Sequence, residues 1–150
     1  MKILKLKELL IKHEGWKNKP YKCPAGFKTI GVGWNMDANR LPSYIAEYLK
    51  EHGEITDAMV YELLNISIEI AVLDCKDLFP DFEMFSDNRK MALIDFVFQL
   101  GLPKARKFIH AMAAINTGRW EDAAEEMRDS NWYDQTPNRA REIIDLIEAG

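Results

Sequence analysis

The first residues of the chain place apolar side chains on one face of a helix and lysines largely on the opposite face. This spacing predicts an amphipathic helix over residues 2–12, which Gly15 is placed to end. Glu14 would then lie just beyond the helix. The predicted apolar stripe consists of Leu4, Leu6, Leu9, Leu10 and His13.

A strand-like pattern follows the first helix. Two short extended runs are separated by the turn sequence Pro24-Ala25-Gly26, which predicts a β-hairpin over residues 20–34. The second run extends from Phe27 to Trp34. A short extended piece near Glu54-Ile55 is a candidate third strand, and residues 35–53 are expected to form a loop.

Helical spacing returns in the second part of the chain. Thr56 is a good N-cap for a helix over about 57–78, whose apolar stripe includes Ile70 and Leu73. Ser86-Asp87 opens another helix that is almost wholly apolar from Met91 to Leu100. A helix that is apolar on nearly all sides is expected to be buried on all sides.

Further helices are predicted over residues 104–114, 119–128 and 137–148, the last with Pro137 in its first turn and Thr136 as its cap. Together these elements predict an α+β fold, mostly α, in one domain. It would have a small β-containing lobe (about 13–56), a connecting helix (about 57–78) and an α lobe (about 79–150) that also holds the N-terminal helix 2–12.

Composition excludes several classes of protein. The 150 residues are 47% hydrophobic and 29% charged, as in a soluble globular domain, and no apolar run approaches the roughly 20 residues of a membrane helix. The net charge of −4 argues against a nucleic-acid binder, although residues 1–28 hold eight lysines and two glutamates. Neither a signal peptide nor a structural disulfide between Cys23 and Cys75 is expected.

Three chemically useful groups follow one another at the end of the first helix and in the hairpin. Eight residues separate the Glu14 carboxyl from the Cys23 thiol, and five separate Cys23 from the Thr29 hydroxyl. A carboxylic acid that holds its proton near neutral pH can protonate the leaving oxygen of a glycosidic bond. Glycoside hydrolysis generally uses a pair of carboxyl groups, and here the residue that follows Glu14 in the series is a cysteine, Cys23.

This spacing resembles the catalytic segment of the phage-type lysozymes, the endolysin muramidases, which carry Glu, eight residues, Asp or Cys, five residues and Thr. The run Ala92-Leu93-Ile94-Asp95-Phe96-Val97-Phe98-Gln99-Leu100-Gly101 and the run Trp132-Tyr133-Asp134-Gln135-Thr136-Pro137-Asn138-Arg139-Ala140 resemble two further segments of the family, in the same order and at the same spacing. The resemblance implies a two-lobe fold with the active cleft between the lobes. It also implies cleavage of the β-1,4 bond between N-acetylmuramic acid and N-acetylglucosamine in peptidoglycan.

The resemblance also implies roles for single residues. Glu14 would be the general acid, paired with Arg139, and Thr29 would hold the attacking water. Cys23 would take the place of the family's Asp, positioning water together with Thr29 or attacking the sugar directly; a third alternative is a buried thiol that only packs. A metal or cofactor is not expected.

Other residues are candidates for the cleft. Phe98 and Gln99 would contact the substrate, with Trp132 and Gln135 as support, although Phe98 and Trp132 could equally be core residues. Gly33 would let the sugar approach the backbone. Trp34 would either stack on a sugar or close the core of the small lobe. Those six residues complete the predicted site.

Alternative functions remain open from the sequence. They are a lytic transglycosylase that forms 1,6-anhydro products, a cysteine-dependent amidase, and a catalytically inactive peptidoglycan-binding module. We expect a monomer that acts on peptidoglycan strands without inserting into the membrane. We also expect it to wait in the host cytoplasm until a holin-type lesion opens the way to the cell wall.

Overall fold

The computed structural model describes residues 2–150, which form nine α-helices, one short 3-10 helix and three strands. The helices are α1 (Ile3–Glu14), α2 (Ser43–His52), α3 (Asp57–Leu78), α4 (Asp87–Leu100), α5 (Leu102–Arg106), α6 (Ile109–Asn116), α7 (Trp120–Arg128), α8 (Asn131–Gln135) and α9 (Pro137–Ala149). The strands are β1 (Lys17–Lys22), β2 (Lys28–Gly31) and β3 (Trp34–Asn35), and the 3-10 helix is Phe82–Met84. The predicted α+β fold, mostly α, is confirmed.

The chain divides into two compact units. We call Lys7–Ser67 the hairpin unit, and residues up to Leu6 together with Ile68–Gly150 the helical unit. Both divisions fall inside a helix, α1 in one case and α3 in the other. The hairpin unit is therefore longer at both ends than the small lobe predicted at about 13–56.

The hairpin unit is built around an antiparallel sheet with the strand order β1-β2-β3. Tyr21 pairs with Thr29, and an irregularity in the register lies between Lys17 and Tyr21. The predicted second strand is interrupted, because the chain turns at Val32 and Gly33 and returns as β3. Gly33 has a φ of +67°, which favours glycine over residues with a Cβ atom.

The candidate third strand near Glu54-Ile55 is wrong. Ile55 lies in a loop, where its N–H donates to the carbonyl oxygen of Asn18 at 2.9 Å. The side chain of Asn18 in turn donates to the carbonyl oxygen of Ile55 at 2.9 Å. These two contacts tie the loop to β1 without forming a ladder.

The expected loop over residues 35–53 is also wrong in part, because it contains α2. Only Ile45 is buried on this helix, so the sequence shows no broad apolar stripe there. The predicted helix at 104–114 is divided into α5 and α6 by the non-helical backbone of Phe108. The short helix α8, capped by the side chain of Ser130, was not predicted.

The helical unit has α4 at its centre. Its residues from Met91 to Val97 are all buried, which confirms the predicted central helix. The caps of α3 and α4 are also confirmed, since Thr56 accepts a hydrogen bond from Met59 N–H and Ser86 accepts one from Arg89 N–H, both at 3.2 Å. Thr136 does not cap α9 with its side chain.

Parts of the predicted apolar stripes are exposed. Leu4, Ile70 and Leu73 are 74%, 49% and 65% exposed, whereas Leu6 and Leu10 are fully buried. Residues at i and i+4 share a helix face, so the buried stripe of α1 is narrower than its run of leucines suggests.

Candidate active site

Glu14 is the last residue of α1, rather than a residue beyond it, and Gly15 follows with a φ of +81°. The Glu14 side chain is half-buried. A Cβ atom placed on Gly33 would lie 2.9 Å from both Cδ and Oε1 of Glu14. The Glu14 carboxyl therefore lies against the backbone of Gly33, and a larger residue there would displace it. The approach of a sugar to Gly33 stays a prediction.

The turn between β1 and β2 brings Cys23 and Thr29 together. The N–H of Cys23 donates to the carbonyl oxygen of Phe27 at 3.0 Å, and the Thr29 hydroxyl donates to the same oxygen at 3.0 Å. The N–H of Gly26 closes the turn on the carbonyl oxygen of Cys23 at 2.8 Å. Thr29 is buried, and Cys23 is part-exposed.

The environment of Cys23 favours negative charge. Partial burial would raise the pKa of the Cys23 thiol, but hydrogen bonding, chiefly with the backbone of Phe27, brings it below its ordinary value. The thiolate is the reactive form of cysteine. The Cys23 thiol therefore ionises more readily than an ordinary cysteine thiol.

Tyr21 belongs to the same cluster and was missed in the sequence. The pKa of its phenol is raised by burial, by the charge of Glu14 and by the charge of Cys23. Tyr21 also lies directly opposite Thr29 in the β1–β2 pairing. The hairpin unit thus groups a carboxyl, a thiol, a buried hydroxyl and a half-buried phenol.

Trp34 lies in the core of the hairpin unit. It is 6% exposed, and its indole N–H donates to the carbonyl oxygen of Asn39 at 3.3 Å. This placement favours the alternative in which Trp34 closes the core, rather than stacking on a sugar.

In the helical unit, Arg139 is bound to Asp95. Its Nε and Nη2 donate to the same carboxylate oxygen, Oδ1, at 2.9 and 2.6 Å. The Asp95 side chain is fully buried and that of Arg139 is 11% exposed. The pair expected between Arg139 and Glu14 would join residues of different units and stays a prediction.

An aromatic cluster packs around two of the candidate cleft residues in the helical unit, Gln99 and Trp132. The indole N–H of Trp132 donates to Oε1 of Gln99 at 2.9 Å. The Trp132 ring meets Phe96 edge-on, with the ring centroids 5.0 Å apart, and Phe96 meets Phe108 in the same way. Trp132 is 5% exposed, so it orients Gln99 from within the core.

A groove on the helical unit has a cavity volume of about 570 Å³. Trp132 and Gln135 contribute to its wall, together with two lysines in or just after α5 and two carboxylates in or just after α7. Phe98 is half-buried and is not among its lining residues. Among residues 2–150, no group of three or more acidic, histidine or cysteine side chains is arranged to hold a metal ion. In the same range, no helix has the length and apolar character of a membrane span.

Comparison with known proteins identifies the family. The family model for phage lysozyme matches residues 11–142. A probable T4-type lysozyme 1 of Dictyostelium discoideum is 30% identical, over 97% of this chain and 94% of that protein. The chain belongs to the phage lysozyme family.

More distant relatives carry the matching region as a small part of a longer chain. The pre-baseplate central spike protein Gp5 of Enterobacteria phage T4 is 27% identical, over 98% of this chain and 28% of that protein. The peptidoglycan hydrolase gp36 of Pseudomonas phage phiKMV is 24% identical, over 90% of this chain and 14% of that protein.

For this phage lysozyme family member, sequence reasoning did not single out Asp95 of the helical unit or Tyr21 of the hairpin unit. Asp95 carried a signal, since a carboxylate inside an apolar helical run must find a partner once it is buried. Tyr21 carried no such signal, because its place opposite Thr29 depends on the pairing of β1 with β2.

Proposed function

We propose that this lysozyme hydrolyses the β-1,4 bond between N-acetylmuramic acid and N-acetylglucosamine in peptidoglycan. Its membership of the phage lysozyme family supports the reaction class, glycoside hydrolysis of the cell wall. In this proposal Glu14 protonates the leaving oxygen, while Cys23 and Thr29 position the attacking water. The proposal rests chiefly on the grouping of these three side chains in the hairpin unit.

The carboxyl of Glu14 suits a general acid. It is half-buried at the end of α1, and its position against the backbone of Gly33 restricts where it can point. A fixed donor at hydrogen-bonding distance from the leaving oxygen reduces the barrier more than a mobile one. An exposed glutamate on the same helix, Glu8, offers a comparison without such contacts.

Cys23 and Thr29 suit the orientation of water. Thr29 uses its proton on the carbonyl oxygen of Phe27, which leaves the lone pairs of its hydroxyl oxygen to accept a hydrogen bond from water. The anionic character favoured at Cys23 supplies a second acceptor nearby. A water held by two acceptors directs its own lone pair away from them, toward the sugar carbon.

The stereochemistry of the product tests this assignment. Water attack on the face opposite the leaving group gives the α-anomer, whereas attack by the Cys23 sulfur, followed by hydrolysis of the thioglycosyl intermediate, gives the β-anomer. We expect the α-anomer as the first product in NMR spectra of a muropeptide digest. The β-anomer would instead assign Cys23 as the nucleophile.

Substitutions test the individual roles. Glu14→Gln should lower turnover by at least about 10²-fold, and Glu8→Gln should leave it unchanged. Cys23→Asp should retain activity, because the backbone amides at this turn suit an anion, whereas Cys23→Ala should lose most of it. A fully active Cys23→Ala variant would remove Cys23 from the mechanism.

Mass spectrometry of the products separates the proposal from the transglycosylase alternative. Hydrolysis leaves reducing ends, and transglycosylation leaves 1,6-anhydro ends. A role in host lysis, with release of the protein through a holin-type lesion, is part of the same proposal. Expression of the protein together with a holin tests that role.

A further inference from the structure

Every exposed position in the strands of the sheet is a lysine. The exposed residues of β1 are Lys17, Lys19 and Lys22, the exposed residue of β2 is Lys28, and β3 has none. We call these four residues the sheet lysines. Residues 15–36 contain no acidic residue and no arginine, so the sheet lysines are the only formally charged side chains in this segment.

Two of the sheet lysines stand directly opposite each other. Lys22 pairs with Lys28 in the β1–β2 register, next to the pair of Tyr21 and Thr29. Directly opposite side chains begin about 4.5–5.5 Å apart, and like charges at such positions destabilise a sheet. Among residues 2–150, no sheet lysine forms a salt bridge, and the Asp37 carboxylate binds the backbone N–H of Lys28 rather than its ammonium group. The folded sheet therefore keeps two ammonium groups close together without a carboxylate between them.

Protection of a sheet edge explains only part of this pattern. β1 is an edge strand, and lysines on an edge strand oppose pairing with another chain. β2 lies between β1 and β3, however, so Lys28 protects no edge. An anion bound over the two opposed ammonium groups would remove their repulsion, which gives the cross-strand pair a reason that edge protection does not supply.

The pair of Lys22 and Lys28 faces away from the residue that is proposed to hold the attacking water. Neighbouring residues of a strand project to opposite faces of a sheet, so both lysines project away from the face that holds Thr29. Thr29 is buried, whereas both lysines are exposed. A sugar held by Thr29 would lie on the other side of the sheet. The partner of the lysines is therefore a second, anionic chain that reaches the outer face of the hairpin.

We propose that the sheet lysines bind a phosphodiester polymer of the cell wall that carries one phosphate on each short repeat, as poly(glycerol phosphate) does. The choice of a wall polymer rests on the proposed function, which brings the protein to peptidoglycan. Lysine ammonium groups act as point charges and need no fixed bidentate geometry, which suits a flexible polyanion. Lys17 and Lys19 are two residues apart, about 6–7 Å along a strand, so successive lysines can meet successive phosphates. Stem-peptide carboxylates recur only once in each disaccharide and are spaced more widely.

Lys28→Gln tests this surface, because it removes one charge of the opposed pair. Fluorescence anisotropy of labelled poly(glycerol phosphate) at low salt should show an affinity about fivefold weaker, as is typical of one lysine at an anionic surface. Lys22→Glu should weaken binding further. Lys50→Gln is the matched control, since it removes an exposed lysine on α2 of the same unit, and its affinity should change less than twofold.

Stability separates a binding role from a structural one. Lys28→Gln relieves the cross-strand repulsion and Lys22→Glu replaces it with an attraction, so neither should lower the midpoint of urea denaturation. Weaker binding accompanied by a lower midpoint would assign the lysines to the fold and overturn the proposal. Equal losses of affinity in Lys28→Gln and Lys50→Gln would overturn it as well, because the effect would then be one of net charge.

Whole cell walls distinguish phosphate from carboxylate. In the Glu14→Gln background, more protein should co-sediment with walls that carry a phosphodiester polymer than with the same walls stripped of it by hydrofluoric acid, and the difference should disappear at high salt. Equal binding to both preparations would assign the lysines to stem-peptide carboxylates and overturn the proposal. Turnover of soluble, phosphate-free glycan fragments should be the same in Lys28→Gln and the wild type. Binding of the soluble polymer needs no turnover, so a failure of this proposal is distinguishable from a failure of the proposed function.

Discussion

The Glu14 carboxyl lies directly against the backbone of Gly33. Gly33 is the residue that allows this, because it combines a φ of +67° with the absence of a side chain directly beneath the carboxyl. Gly53 has a similar φ of +75° but has nothing within 4 Å of the position where a Cβ would lie. Substitutions at the two glycines therefore distinguish the effect of backbone strain from the effect of displacing Glu14.

We expect Gly33→Ala to reduce turnover far more than Gly53→Ala. Both variants should lose about 1–2 kcal/mol of unfolding free energy from the left-handed backbone. Only the first moves the carboxyl, and a displacement near 1 Å can cost about 10²-fold in rate. Turnover measured beside chemical denaturation tests this, and equal activities in the two variants would contradict it.

The two cysteines should differ sharply in reactivity. Cys23 is part-exposed and its thiol pKa is lowered, whereas burial raises the pKa of the fully buried Cys75 thiol far above its ordinary value. Because the thiolate is the nucleophile, alkylation of Cys23 should increase with pH, with a midpoint below the ordinary thiol value.

Mass spectrometry of the folded protein after brief treatment with iodoacetamide should therefore show one modification, at Cys23. Cys75 should react only after denaturation. Modification of both thiols in the native protein at similar rates would contradict the burial of Cys75.

At the scale of elements, two of the three predicted helix caps, Thr56 and Ser86, form the expected hydrogen bonds, and Thr136 does not. Ser86 begins α4 in the expected way, with its side chain accepting the N–H of Arg89. Ser43 is also a serine at the start of a helix, but it is exposed and lies just after Pro42, which makes no side-chain cap bond. Ser86 is therefore expected to contribute more to the free energy of unfolding than Ser43.

Ser86→Ala should lower the free energy of unfolding by about 0.5–2 kcal/mol, because an orphan N–H at the start of α4 loses its acceptor. Ser43→Ala should change it by less than about 0.5 kcal/mol. Urea denaturation of the two variants provides the comparison. Equal stabilities would show that the cap of α4 contributes nothing.

At the scale of the whole molecule, Asp95 and Arg139 form a buried ion pair between two distant helices. It joins α4 to α9, across 44 residues of sequence, inside the helical unit. Asp95 is completely excluded from solvent, so its charge depends on protein partners. The pair therefore makes the docking of α9 on α4 sensitive to a single side chain.

Arg139→Ala should cost about 3–5 kcal/mol of unfolding free energy, since it leaves the Asp95 charge buried without this partner. The double variant Asp95→Asn, Arg139→Ala should recover part of that loss, because the uncompensated charge is gone. A loss below about 1 kcal/mol in the single variant would show that Asp95 is satisfied without Arg139.

The sequence by itself determined features that depend on near neighbours along the chain. The turn at residues 24–26, the caps Thr56 and Ser86 and the apolar run of α4 all lie within a few residues of the groups they affect. Local spacing records such contacts directly. The Glu-Cys-Thr spacing likewise pointed to the site of the hairpin unit through its resemblance to a family.

Only the tertiary structure decided which residues are buried, which are exposed and which distant residues meet. It buried Trp34, exposed Leu4 and Leu73, joined Asp95 to Arg139 and placed Gly33 under Glu14. Each of these outcomes depends on which distant segment covers a given face, and spacing along one segment carries no record of that. The same reason explains why Tyr21 emerged only when its strand was paired with Thr29.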